Sequence, residues 1–411
     1  MEYILYGTVL SLDELDILSK EEVVSLYEEY GNNFVDMVQG HFAFQAYKDK
    51  ENSLIFTDRF GFFPCFLGPG NKLCKDIDFK TVNEDFLKVV DKYDDLAFNS
   101  NIKKELINAI RDFRCGSKNF KHFYSIKEIH KLLDTLYFDT LDINYHCLIC
   151  NSIYNIENGM VTRHTYKNTN IYYKGTSEER LLYVVDKLCK SNKVLCQLSS
   201  GHDTRLIASC LYKLGKDFDY LSFGGEKEFV DTLINEVINK KGIEINSDVI
   251  MSMADDLISE NLIYTNGFGD PFQRIQLYYF VKYIYPEYYC IFNGGGTNQY
   301  FSYFKDQFQN NFYNCVYSTG LGHFMKYQLE RTFTINPILD MKFLYSIRNF
   351  INKNEVIKDI TKRICPELAS LPYPEIPECY KTNHFTTKTY DFNTKRKYIN
   401  MLIEYLHLTN V

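Results

Sequence analysis

The chain has 411 residues, 45% of them hydrophobic, with 46 Lys and Arg against 53 Asp and Glu and a formal net charge of -7. That length makes two domains the first expectation and supplies enough apolar side chains for sizeable cores. The negative balance argues against a general nucleic-acid binder, whose affinity would come from many Lys and Arg contacts to phosphate.

Met1-Glu2-Tyr3-Ile4 opens without a basic region, a long apolar run and a cleavage site, and no run of about eighteen apolar residues follows, so the expected location is the cytoplasm, away from membranes. Residues 1–30 read as a short strand and then a helix. Ser19-Lys20-Glu21-Glu22 supplies its cap and acidic first turn, ahead of Val23, Val24 and Leu26. Phe42 and Phe44 alternate with Ala43 and Gln45, the period of a half-buried strand, and Leu54-Ile55-Phe56 continues it after a charged turn at 48–52. Thr57-Asp58-Arg59-Phe60-Gly61-Phe62-Phe63-Pro64 follows this hairpin. Further on, 103–111 and 126–136 read as helices, 147–156 as extended, and Glu157-Asn158-Gly159-Met160 as a turn into another strand.

Twelve cysteines are scattered along the chain. The sharpest group is His146-Cys147-Leu148-Ile149-Cys150, but no second ligand pair follows at close spacing, so packing is the preferred reading over zinc.

A helix over 177–190, capped by Thr176 or Ser177, leads to an apolar strand at 194–198. Ser199-Ser200-Gly201-His202-Asp203-Thr204 then opens a helix over about 204–214. Small residues before a helix N-terminus let backbone N–H groups wrap an anion, and Asp203 and Thr204 either cap the helix or reach metal and phosphate. An ordinary strand-to-helix connection with an Asp cap is the alternative. Alternation of strands and helices continues to about residue 300, which calls for a parallel sheet with helices on both faces. Ligands of such sheets bind beyond the carboxyl ends of the strands, so the loops at Ser199, Gly224 and Gly294 would share one crevice. Residues 301–411 read as helical and aromatic. Pro366, Pro372, Pro374 and Pro377 break them into an extended passage before a last helix at 396–406; we favour a surface linker there over a segment that closes on substrate.

The segment 198–204 resembles the Ser-Gly-Gly-x-Asp-Ser pyrophosphate loop of the asparagine synthetase family, with Ser200 for the first Gly and Thr204 for the last Ser; Arg205 after it is also found among relatives. Tyr220-Leu221-Ser222-Phe223-Gly224-Gly225-Glu226 is similar to that family's second strand end. Ile291-Phe292-Asn293-Gly294-Gly295-Gly296-Thr297-Asn298-Gln299 is similar to its Ser-Gly-Glu-Gly-x-Asp-Glu loop, and Asn336-Pro337-Ile338-Leu339-Asp340 to its Pro-Phe-Leu-Asp segment. Gly40, Phe42, Ala43, Phe44, Asp58, Arg59, Gly61 and Pro64 look like the later half of the glutaminase domain of glutamine-dependent members.

The resemblance implies an α/β fold in two parts: a truncated, β-rich glutaminase-like domain over 1–172, and a doubly wound parallel sheet of the ATP pyrophosphatase kind, adenine nucleotide alpha-hydrolase-like, over 173–411. The family's glutaminase uses an N-terminal Cys, and this chain begins Met1-Glu2-Tyr3. We therefore expect no glutamine hydrolysis, as in beta-lactam synthetases and lasso-peptide cyclases, where a substrate supplies the amine directly.

The implied reaction is ATP-dependent and AMP-forming. A substrate carboxylate becomes an acyl-adenylate with release of pyrophosphate, and an amine then attacks to give an amide, lactam or peptide ring. By resemblance Ser199, Ser200, Gly201, Thr204 and Arg205 take the ATP phosphates, Asp203 and Asp231 serve Mg2+, and Leu198, Phe223, Gly224, Asn293 and Gly294 line the adenosine pocket. Asp203 and Lys381 are the catalytic candidates, with no general base assigned. Gly295, Asn298 and Gln299 stand where the family carries Glu, Asp and Glu. Magnesium prefers carboxylate oxygen, so Asp203 with water and phosphate, or Glu226, Glu228, Asp270 or Asp306, would have to make up the charge. Expected partners are small-molecule or peptide carboxylates and amines, with a homo-oligomer or a partner biosynthetic protein left open. Two other readings stay open: a degenerate relative that binds nucleotide or a partner without turnover, and another ATP pyrophosphatase reaction such as nucleobase modification.

Overall fold

Strand β1 (Glu2–Ser11) folds against β3 (Val38–Asp49) along its whole length, from Glu2 opposite Tyr47 to Ser11 opposite Val38. In the computed structural model the described residues are 1–77, 144–166, 171, 173–190, 193–222, 227–244, 246–253, 256–257, 260, 275–297, 320–348 and 352–373. Strands β2 (Ile17–Leu18), β4 (Asn52–Thr57), β8 (Ser152–Glu157) and β9 (Met160–Thr165) complete an antiparallel sheet in the order β2-β1-β3-β4-β8-β9. Between them β5 (Phe66–Leu67), β6 (Leu73–Cys74) and β7 (His146–Cys147) make a small second sheet. Helix α1 (Lys20–Tyr30) begins at a reciprocal cap: Ser19 Oγ accepts from Glu22 N at 3.2 Å, and the Glu22 carboxylate accepts from Ser19 N at 2.7 Å.

Strand β3 is not half-buried. Phe42 and Phe44 pack with Val23 and Phe34 under α1, while Ala43 lies on the other face with Ile55, Phe63 and Leu148. Gln45 is fully buried there because its amide is satisfied: it donates to Ser53 Oγ at 3.1 Å and Asn71 O at 2.8 Å, and accepts from Leu73 N at 2.8 Å. A small residue and a fully bonded polar one gave the alternation of a one-faced strand.

The extended run expected over 147–156 divides into β7 and β8 at Asn151, whose φ of +54° turns the chain and whose N–H donates to Asp58 O. The hairpin turns at 157–160 between β8 and β9, and the Cys147 and Cys150 side chains are buried. The helices expected at 103–111 and 126–136 lie outside the described residues.

The second large sheet is wholly parallel, in the order β11 (Phe218–Leu221), β10 (Val194–Gln197), β12 (Cys290–Phe292), β13 (Phe333–Ile335). Val194, Leu195 and Cys196 are completely buried, as a continuous apolar run in a parallel sheet requires. Strand β13 extends the sheet past residue 300; its three residues, Phe333-Thr334-Ile335, are too few to carry a period.

Helix α2 (Ser177–Cys189) has Thr176 as its cap, reciprocated by Glu179. Its Leu181 and Val185 pack with Leu206, Ile207 and Leu211 of α3 (His202–Lys213), and with Ile357 and Ile360 of α6 (Lys353–Ile364). Between these come α4 (Gly320–Arg331) and α5 (Met341–Ser346). Pro366 does not end helical structure; it occupies the first turn of α7 (Pro366–Ser370), where its missing N–H has no partner to lose. The remaining Pro-rich passage and the helix expected at 396–406 fall outside the described residues beyond Tyr373. Among the described residues no helix is long and apolar enough to cross a membrane.

A buried ion pair ties the two sheets together. Arg180 on α2 donates to Asp340 Oδ1 at 2.8 Å and Oδ2 at 2.7 Å, and to the carbonyls of Asp13 and Leu12 at 3.2 and 3.1 Å. Asp340 also caps α5 through Phe343 N and accepts from Gln39 Nε2 of β3 at 2.9 Å. Every oxygen of this carboxylate is used, which is the condition for tolerating a charge that is almost wholly buried.

Candidate functional site

The strand order places the first strand of the parallel sheet, β10, between β11 and β12, so the chain winds to one side and then the other. The gap between β10 and β12 is therefore the switch point, where open α/β sheets leave a crevice at the carboxyl ends. The segments leaving those ends are 198–204 and 293–297.

They touch. A Cβ built on Gly294 would lie 3.0 Å from Thr204 Cγ2, 3.1 Å from Asp203 Cβ and 3.4 Å from Thr204 N. Only glycine lets the third loop come this close to the first turn of α3.

Helix α3 starts at His202, two residues earlier than its periodicity suggests, and its cap is Gly201 without a side-chain bond. Asp203 is thus in the first turn and does not cap the helix. Its carboxylate still lies where the helix dipole favours negative charge. Thr204 turns its hydroxyl back to the loop, accepting from Ser199 N at 3.0 Å and lying 2.8 Å from Ser199 Oγ, which in turn accepts from Gly201 N at 3.2 Å. The expected cradle of backbone donors is closed on itself, the partly buried Ser199 and Gly201 N–H groups each taking a nearby hydroxyl oxygen. A phosphate would exchange with two hydroxyl oxygens at Ser199 N and Gly201 N.

The other expected residues divide clearly. Leu198 extends the ladder to Leu221 O at 2.9 Å, but its side chain belongs to the core, leaving only backbone for an adenosine pocket. Asn293 closes the third loop by accepting from Gly295 N at 3.0 Å, and its own N–H bonds Ile335 O.

Arg205 does not reach into the crevice as a phosphate ligand. Its guanidinium donates to Ser200 O at 2.9 Å, Leu371 O at 2.9 Å, Pro372 O at 3.0 Å and Leu368 O at 3.5 Å, over the Tyr373 ring. It fastens the back of the Ser200 turn to the end of α7. Asp231, expected to serve a second metal, is held by the Lys227 ammonium and by Tyr220 Oη at 2.8 Å, so a cation there would have to displace a lysine. Glu228 is exposed on the same helical segment. Phe223, Gly224, Glu226, Asp270, Asn298, Gln299, Asp306 and Lys381 lie outside the described residues.

Two residues at this crevice carried no site role in the sequence reading. Asn336, after β13, donates to Gly295 O at 2.7 Å and to Thr297 Oγ1 at 2.8 Å, and accepts from Ile338 N at 3.0 Å. Its signal was an Asn before Pro inside a recognised segment. Phe62, from the turn after β4 of the antiparallel sheet, reaches Gly296: a Cβ on that glycine would lie 2.5 Å from Phe62 Cζ.

The donor set suits an anion flanked by a single carboxylate. Among the described residues no three His, Cys, Asp or Glu side chains gather into a metal-holding group. Magnesium needs no such cage, since it keeps waters and takes one or two carboxylates together with substrate phosphates. Asp203 is the residue present that fits it, and Asp231 is not. Compared with models of known protein families and with curated proteins, the chain matches none.

Proposed function

We propose that the chain is an AMP-forming carbon–nitrogen ligase of the asparagine synthetase kind, adenylating a substrate carboxylate and joining it to an amine without glutamine hydrolysis. The observation that carries this is the seating of Gly294 on Asp203 and Thr204 at the switch point. It gathers the loops of 198–204 and 293–297 at the strand ends, where the resemblance requires ATP.

A carboxylate is a poor electrophile, and esterification to AMP supplies a leaving group. Ser199, Gly201 and Thr204 bind the pyrophosphate through backbone and hydroxyl groups, and the first turn of α3 favours its charge. Asp203 would hold a magnesium ion, which would supply positive charge against the phosphates. Arg205 acts behind the loop by fixing the Ser200 carbonyl.

One observation favours the degenerate reading: Asp231, expected to serve magnesium, and Arg205, expected at the phosphates, are both committed to protein partners. ATP–pyrophosphate exchange with magnesium, screened over carboxylate metabolites and short peptides, separates the two. Exchange that depends on one acid and disappears in Asp203→Ala supports the ligase. Absence of exchange together with absence of ATP binding sinks it and leaves the binding protein.

A further inference from the structure

The 293–297 loop is gripped from two sides. Its own domain holds it through Asn336, and through Thr297 Oγ1, which donates to Gly294 O at 3.0 Å. The other grip comes from the antiparallel domain. Gly296 has a φ of +88°, and the place of its missing side chain is taken by Phe62, with Leu339 Cδ1 at 3.1 Å. Phe62 is 1% exposed, packed with Met325, Leu339 and Leu344, and the His41 ring meets it edge-on at 4.9 Å between centroids.

Phe62 cannot easily move, because its turn is organised around one buried carboxylate. Asp58 accepts from the backbone N–H groups of Phe60 at 2.8 Å, Gly61, Phe62 at 3.3 Å and Phe63 at 2.7 Å. The Asp58 backbone is itself fixed, its N–H to Phe42 O at 2.8 Å and its carbonyl to Asn151 N at 2.6 Å. Strands β3 and β4, the Asp58 turn, Phe62 and Gly296 form a continuous strut that ends on the loop beside Asp203 and Thr204.

We infer that Phe62 is a positioning residue for the 293–297 loop, and that through it the antiparallel domain sets the geometry of the adenine-nucleotide site. The nucleotide half of this inference rests on the proposed ligase reading, while the loop half rests on packing alone. An ordinary core phenylalanine would lower global stability without singling out this loop. Phe34 provides that comparison, being fully buried in the same domain among Val23, Phe42 and Phe56.

The test uses the full chain as the unmodified protein, Phe62→Ala, Phe62→Leu and Phe34→Ala. Amide hydrogen exchange of the 290–297 peptide is read beside global unfolding, followed by calorimetric titration with MgATP. Phe62→Ala should speed exchange at 293–297 by roughly tenfold beyond its global effect and weaken MgATP binding by about tenfold, with Phe62→Leu intermediate; Phe34→Ala should do neither selectively. Should Phe62→Ala fail to fold, Phe62→Leu decides. Unchanged loop exchange in the Phe62 variants, or equal loosening by Phe34→Ala, overturns the positioning role. If the unmodified protein binds no MgATP, the nucleotide half falls with the ligase reading, and the exchange result alone judges the loop half.

Discussion

The Arg205 guanidinium lies over the Tyr373 ring at 3.6 Å from its centroid and reaches backbone carbonyls on both sides of a gap of more than 160 residues, Ser200 O on one and Leu371 and Pro372 O on the other. Planarity makes this possible. A lysine has the charge but neither the fork nor the stacking face.

Arg205→Lys should therefore cost about 2 kcal/mol of stability and Arg205→Ala about 3 kcal/mol, since carbonyls that shared one cation lose their donor in a water-poor site. Urea denaturation measures both. A lysine variant as stable as the unmodified protein would mean the fork is not what holds the turn.

The Arg180–Asp340 pair makes a second prediction. Either partner removed alone, as in Arg180→Met or Asp340→Leu, should destabilise by about 3–5 kcal/mol, because the remaining charge stays buried without its counterpart. The double variant should cost much less than the sum. A double-mutant cycle by chemical denaturation reads the coupling, and simple additivity would count against a direct pair.

Two buried groups pull the pH dependence in opposite directions. Burial lowers the His41 pKa from 6.5 to about 4, so its contribution is complete above pH 6.5 and is lost as pH falls through 4. Burial raises the Asp58 pKa from 3.8 to about 6, outweighing the backbone bonds that favour the carboxylate. Its contribution is complete below pH 3.8 and is lost as pH rises through 6. Each shift corresponds to roughly 3 kcal/mol. Between about pH 4 and 6 the two offset each other. His41→Leu should uncover the Asp58 slope, so that stability relative to the unmodified protein rises on acidification across that window. Melting temperatures from pH 4 to 7 check it, and parallel profiles would refute the His41 assignment.

At the crevice, Thr204→Val keeps the shape of the side chain but deprives Ser199 N of its acceptor, a loss of about 1–2 kcal/mol. Gly294→Val should do more. Its branches would meet Asp203 and Thr204, whose nearest atoms are already 3.0–3.1 Å from where a Cβ would stand, at a cost of about 1–3 kcal/mol. Under the ligase reading both should weaken MgATP binding, and titration calorimetry compares them. Undiminished binding by Gly294→Val would disconnect the two loops from nucleotide.

The cap at Ser19, the helix start at Thr176 or Ser177 and the turn at 157–160 were legible because each involves partners a few residues apart, which the chain meets in any compact fold; the structure selects Thr176 for the second cap and adds Glu179 as its partner. The strand, loop and helix of 194–213 is similarly local, apart from the two-residue error at its helix start. Strand β13 escaped because it exists only by pairing with β12, and Gln45 read as a solvent-facing residue because its bonding partners on Asn71 and Leu73 arrive from a later turn.

Backbone geometry and short-range hydrogen bonds made the helix starts near Ser19 and Thr176, the 157–160 turn and the strand, loop and helix of 194–213 legible in the amino-acid sequence. Tertiary structure alone decided the use of the versatile side chains. Arg205 suited phosphate or carbonyl, Asp231 metal or lysine, and Phe62 any apolar core. Arg205, removed from water, is satisfied by the carbonyls the fold brings to it; Asp231, half-buried, is held by Lys227 and Tyr220; and the Phe62 ring goes where Gly296 leaves room.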